Sequence, residues 1–131
     1  MTTELLAAAL LDMELHNLTD TASLDVVAFE KAVMDKLGLI PEIAPRYRAT
    51  YFNHILSGYA AGYYSYKWAE VLDADAFSAF QENGIFDPVT AESFRKNILE
   101  KGGSEHPMTL YVRFRGHKPT IDALLKRSGL R

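Results

Sequence analysis

From His54 to Glu70 the chain reads His-Ile-Leu-Ser-Gly-Tyr-Ala-Ala-Gly-Tyr-Tyr-Ser-Tyr-Lys-Trp-Ala-Glu. An imidazole N–H and a row of phenol O–H groups are neutral hydrogen-bond donors, suited to orienting a ligand or to holding charge that develops on a reacting carbonyl oxygen. If the segment from Tyr59 onward is helical, each residue turns by about 100°, and Tyr59, Tyr63, Tyr66 and Glu70 share one stripe. The same spacing also serves a core, because aromatic residues at helical intervals pack interiors and interfaces with each hydroxyl reaching a partner at its edge. Spacing leaves both readings open. Gly58 and Gly62, one turn apart, would let a second backbone come close, at roughly 1 kcal/mol of helix stability each.

Other chemistries find little support. None of the four histidines, His16, His54, His106 and His117, belongs to a His-Glu-x-x-His pair, so no zinc cage is encoded. Asp73-Ala-Asp75 is too short for an EF-hand and reads as a solvated helix face. No glycine-rich phosphate loop follows a strand, and there is no Gly-x-Ser-x-Gly elbow. The absence of cysteine excludes disulfides and thiolate chemistry and fits a reducing, cytoplasmic setting. A net charge of −3 without runs of like charge gives no footprint for nucleic acid or an anionic membrane. No apolar run approaches the roughly 20 residues of a membrane span, and Leu5 to Leu11 lacks the flanks of a secretory signal, so the chain reads as soluble.

The elements that must position the donors read as helices. With 131 residues, 48% of them hydrophobic, the chain suits one domain with a real core. Thr2 or Thr3 can cap a first helix that continues to about His16, apolar nearly all round and therefore buried. His16 near its end suits a core hydrogen bond or the helix C-terminal dipole better than metal binding. Ser23 or Asp25 starts an amphipathic second helix that Gly38 ends. Pro41 and Pro45 then impose a surface loop, where binding residues concentrate; Arg46, Tyr47, Arg48, Tyr51 and His54 lie in or just past it. They read equally as a solvated basic pair beside packed aromatics.

The third and longest helix is expected from about Tyr59 to Phe80, with Trp68, Val71, Leu72, Phe77 and Phe80 adding apolar cover. Asp87-Pro88 opens a fourth, running through Phe94, Ile98 and Leu99 to Gly102-Gly103. Met108 to Arg115 alternates apolar and polar residues like a strand, yet no other segment alternates cleanly enough to partner it. A short helix opened by Pro107 is the expectation instead. A last helix follows Pro119. Together these predict an all-α chain, a compact helical bundle of about five to six helices forming a single domain over residues 1–131.

The same stretch also carries a resemblance. Tyr51-Phe-Asn-His54 through Tyr59, Tyr63, Tyr66 and Trp68 to Glu70 resembles the carboxy-terminal catalytic segment of the thimet oligopeptidase family of zinc metallopeptidases, especially peptidyl-dipeptidases (dipeptidyl carboxypeptidases) and oligopeptidase A. Leu5 to Met13, Pro45-Arg-Tyr-Arg48, Gly84-Ile-Phe-Asp87, Gly102-Gly-Ser104 and Phe114-Arg-Gly116 with Pro119 extend it over nearly the whole chain. The resemblance implies a helical hydrolase whose channel admits short peptides and whose zinc-bound water attacks the scissile amide. It implies that His54 and Tyr66 are catalytic, donating to the oxyanion, and that Tyr59 and Tyr63 line substrate subsites.

Family members are several times longer, and the helices bearing His-Glu-x-x-His and the third zinc-binding glutamate are not in this sequence. The expectation is therefore a carboxy-terminal fragment that binds no metal alone. It would be inactive by itself and would pair with a missing amino-terminal catalytic portion. The competing expectation is a non-catalytic helical binding module, or one that self-associates through an exposed former interdomain surface.

Overall fold

Helix-forming sequence bounded by identifiable start and stop residues gives six α-helices in the computed structural model, which describes residues 2–131, and no β-strand among those residues. The all-α expectation holds. The helices are α1 (Thr2–His16), α2 (Val26–Lys36), α3 (Ser65–Asn83), α4 (Pro88–Phe94), α5 (Pro107–Arg115) and α6 (Asp122–Arg127). Two short 3-10 turns, Ala49–Tyr51 and Asn53–Leu56, precede α3, and a π-helical turn, Arg95–Leu99, follows α4. The chain divides into two compact units, residues up to Lys67 and residues from Trp68 onward.

In the first unit, α1 buries Ala7, Ala8, Ala9, Leu11 and Asp12. Burial does not extend all round the helix, because Leu6 and Leu10 remain exposed. Thr2 and Thr3 lie inside the helix and are not its cap; the residue ahead, Met1, is outside the described residues. Asp25 caps α2, its carboxylate accepting from the amides of Val27 and Ala28 at 3.0 Å. Gly38, at φ +64°, turns the chain out of that helix. Buried Glu30 then fastens the far end of the proline loop, accepting from Ala49 N at 2.6 Å and pairing with Arg48 Nε at 2.7 Å. Arg48 is thus tied to α2, not free for a ligand.

The long helix starts six residues later than its apolar pattern suggests, at Ser65 in place of Tyr59. Residues 57–64 instead form successive turns, with Ala60 N bonded to Ser57 O, Gly62 N to Tyr59 O and Ser65 N to Gly62 O. Ala61 sits at φ +52°, a left-handed conformation that no α-helix can contain. Among the described residues no second backbone segment packs on the side-chain position of either glycine: at Gly58 it faces open space, and at Gly62 the nearest atoms belong to Tyr59 and Ala60.

In the second unit the rings of Phe80, Phe94 and Phe114 pack together, with Phe94 and Phe114 centroids 5.2 Å apart. Asp87 caps α4 by accepting from Thr90 N at 2.7 Å, with Pro88 at the first helical position as expected. Met108 to Arg115 is helical, as the lack of a partner strand argued; α5 buries Leu110 and Tyr111 and ends at Gly116, φ +84°. Asp75 is not on a solvated face. It is buried and accepts from the Tyr111 hydroxyl at 2.6 Å, with Arg115 Nε 3.5 Å from the same carboxylate. Arg115 also reaches Glu82 and Ser78.

Candidate functional site

All four candidate residues fall in the first unit, and the structure brings their rings together. Phe52, fully buried, and Ile55 anchor the 3-10 turn Asn53–Leu56 on Ala8 and Ala9 of α1, which holds His54 at the edge of this core. The His54 carbonyl accepts from the amides of Ser57 and Tyr59, both at 3.3 Å, so the chain folds back over the imidazole. The successive turns then return Tyr63 to the core and launch α3 one residue before Tyr66.

The His54 centroid lies 5.8 Å from Tyr59, 5.2 Å from Tyr63 and 6.3 Å from Tyr66. Tyr59 and Tyr66 stack at 5.0 Å with planes 22° apart, and Tyr63 meets Tyr66 at 5.2 Å. Tyr47, from the proline loop, closes the group by stacking on Phe52 at 5.0 Å and tilting against His54 at 5.1 Å. Arg46 stands 5.8 Å over the Tyr47 ring. Aromatic pairs at such distances contribute about 0.5–1.5 kcal/mol each beyond burial.

The rings are not equivalent. Tyr63 is 3% exposed and packs edge-on against Phe52 at 4.9 Å, whereas Tyr59 and Tyr66 are 39% and 37% exposed. Tyr63 is therefore the inner member of the cluster, and Tyr59 and Tyr66 face outward beside half-buried His54. Hydrogen bonding with Tyr59, then burial, pushes the Tyr66 hydroxyl up to about 12. Burial first, and Tyr47 second, raise Tyr63 as well. Both phenols keep their protons, and so their donor capacity, well past neutral pH.

The residue that organises the turns was not among the sequence candidates. Asp12 of α1 is fully buried and accepts from the amides of Ala61 and Tyr63, each at 2.9 Å, while His16 Nδ1 lies 2.9 Å from its carboxylate and 2.8 Å from its carbonyl. The expected core hydrogen bond of His16 is thus present. Among the described residues no three His, Asp or Glu side chains converge to hold a metal ion.

The all-helical fold agrees with the class that sequence comparison defines. The chain belongs to Peptidase family M3, which its residues 1–130 match. It is 46% identical over 121 residues to Oligopeptidase A of Haemophilus influenzae, an alignment covering 91% of this chain and 18% of that protein. It is 59% identical over 81 residues to Oligopeptidase A of Escherichia coli, covering 61% of this chain and 12% of the relative. To Dipeptidyl carboxypeptidase of Salmonella typhimurium it is 44% identical over 131 residues, covering 98% and 19%. The chain spans less than a fifth of the length of each of these relatives. Among the described residues no helix is long and apolar enough to cross a membrane.

Proposed function

We propose that this chain carries the substrate-facing donors of a hydrolase of short peptides. His54 and Tyr66 donate hydrogen bonds to the carbonyl oxygen that becomes negative as the scissile amide is attacked. Tyr59 lines the subsite by direct contact, and Tyr63 backs it from the core side. The observation that carries this reading is convergence: His54 and Tyr66 centroids lie 6.3 Å apart, a separation that one acceptor oxygen can bridge through two hydrogen bonds. A Tyr66 hydroxyl that stays protonated supports the donor role.

Activation of the attacking water falls to groups outside this sequence, zinc among them in the complete enzyme, so the chain alone hydrolyses no peptide. Its partner is the metal-bearing, amino-terminal portion of the same peptidase, with both units here belonging to one catalytic domain. The absence of cysteine supports a cytoplasmic setting.

The test is Tyr66→Phe in a protein that joins this segment to a metal-binding half. Turnover should fall by roughly 10²–10³-fold with the Michaelis constant little changed, as expected for a contact made only in the transition state. Unchanged turnover, or a loss that appears wholly in the Michaelis constant, would overturn the assignment. Tyr59→Phe should do the reverse and act mainly on affinity. A second reading, a binding or self-associating module, draws on an apolar groove of about 730 Å³ in the second unit, walled by Trp68, Leu72, Phe77, Phe80, Ile98 and Phe114.

A further inference from the structure

Asp12 is an acid in the middle of a buried helix face, and a buried carboxylate persists only where its oxygens are well supplied with donors. Here each oxygen has a backbone donor: Oδ1 takes the Ala61 amide and Oδ2 the Tyr63 amide, and His16 adds a third contact at Oδ1. The two amides flank Gly62, so the carboxylate grips both ends of one turn. Within that turn Ala61 is the sole non-glycine residue at positive φ among the described residues. An alanine stays left-handed only when its surroundings over-determine it. The carboxylate suits this task better than an amide, because asparagine would offer one acceptor and turn its NH₂ toward the second N–H.

We infer that Asp12, backed by His16, is the positioning residue of the phenol cluster. Its carboxylate locks the left-handed turn at Ala61 and thereby gathers Tyr59, Tyr63 and Tyr66 around His54. Asp12 touches no substrate and acts through the backbone: fixing the Tyr63 amide seats that ring on Phe52, and α3 then starts where Tyr66 meets Tyr59. The inference rests on the reading of this cluster as a peptide site, and names the residue that sets the site's geometry.

The experiment is NMR of the 131-residue chain labelled with carbon-13 at the tyrosine ζ position, following the ionisation of each tyrosine. Contact with Tyr59 should hold Tyr66 up at about 12 in the native chain, and Asp12→Asn should bring it towards 10, about a hundredfold larger ionisation constant, because that contact is lost. Tyr111 should keep its raised value, reporting an intact second unit, and the α1 and α2 amides should keep their native chemical shifts, reporting an intact first unit. Adding Ala61→Gly, which removes the left-handed penalty, should move Tyr66 back towards 12. Wild-type ionisation of Tyr66 in folded Asp12→Asn, or no recovery when Ala61→Gly is combined with it, would overturn the inference.

Should Asp12→Asn not fold, amide exchange in the native chain decides: the Ala61 and Tyr63 amides must be protected, and exchange at unprotected rates overturns the proposal. Neither readout uses turnover. An inert Tyr66→Phe would remove the cluster's catalytic role while leaving Asp12's hold on the turn intact.

Discussion

Tyr66 holds its proton to about 12, and that reluctance to ionise is linked to stability. Its folded value of about 12 lies above the ordinary 10, so the folded chain keeps a proton that the unfolded chain releases. The contribution is complete below 10 and is lost as pH rises towards 12. Alkaline unfolding followed by circular dichroism should show this phase, and Tyr66→Phe should remove it; an unaltered alkaline profile would count against the Tyr59–Tyr66 pairing. At this scale residue type singled out His54, Tyr59, Tyr63 and Tyr66, but the helical stripe expected of the tyrosines does not form, because Tyr59 and Tyr63 lie in the turns ahead of α3. Asp12 was not, because its partners are backbone amides 49 and 51 residues away, which leave no side-chain signature. The signal available was an acid interrupting an apolar run with a histidine four residues on. Asp75 was misread for the same reason: its partners Tyr111 and Arg115 lie far along the chain.

Elements were legible where their ends carry capping chemistry. Asp25 and Asp87 start α2 and α4 as expected, and Gly38 ends α2. The Thr90 amide holds the Asp87 carboxyl below the usual carboxylate range. Its contribution is therefore present above the ordinary carboxylate value and lost as pH falls through the lower, folded value. Asp87→Ala should lower the thermal midpoint at neutral pH, and the gap from wild type should close in acid; Asp87→Asn should keep most of the cap without the acid phase. The start of α3 escaped prediction because helix-grade residues from Tyr59 onward are overridden by contacts from α1, which sequence periodicity does not contain. In α5 the alternating pattern lost to tertiary need, since helical spacing buries Leu110 and Tyr111 together. Tyr111→Phe would strip buried Asp75 of a 2.6 Å donor and should destabilise the second unit by about 1–3 kcal/mol in denaturant titration. A loss near zero would mean that Arg115 alone satisfies the carboxylate.

For the whole molecule, the all-α class was legible from helix formers and punctuation, whereas the division into two units was not. No glycine- or proline-rich linker marks it, and α3 runs through the boundary. The groove of the second unit leaves Trp68 and Phe77 about half exposed, an apolar surface that favours contact with another chain. If the isolated chain self-associates there, light scattering over a concentration series should show its mass rising, and Phe77→Ser should suppress the rise. A constant monomer mass would exclude self-association through the groove.

Trp68 is the chain's sole tryptophan. That wall therefore carries a single fluorophore, and its emission colour reports one location with no competing indole. Whatever comes to cover the groove should announce itself as a shift to shorter wavelength, visible without any label.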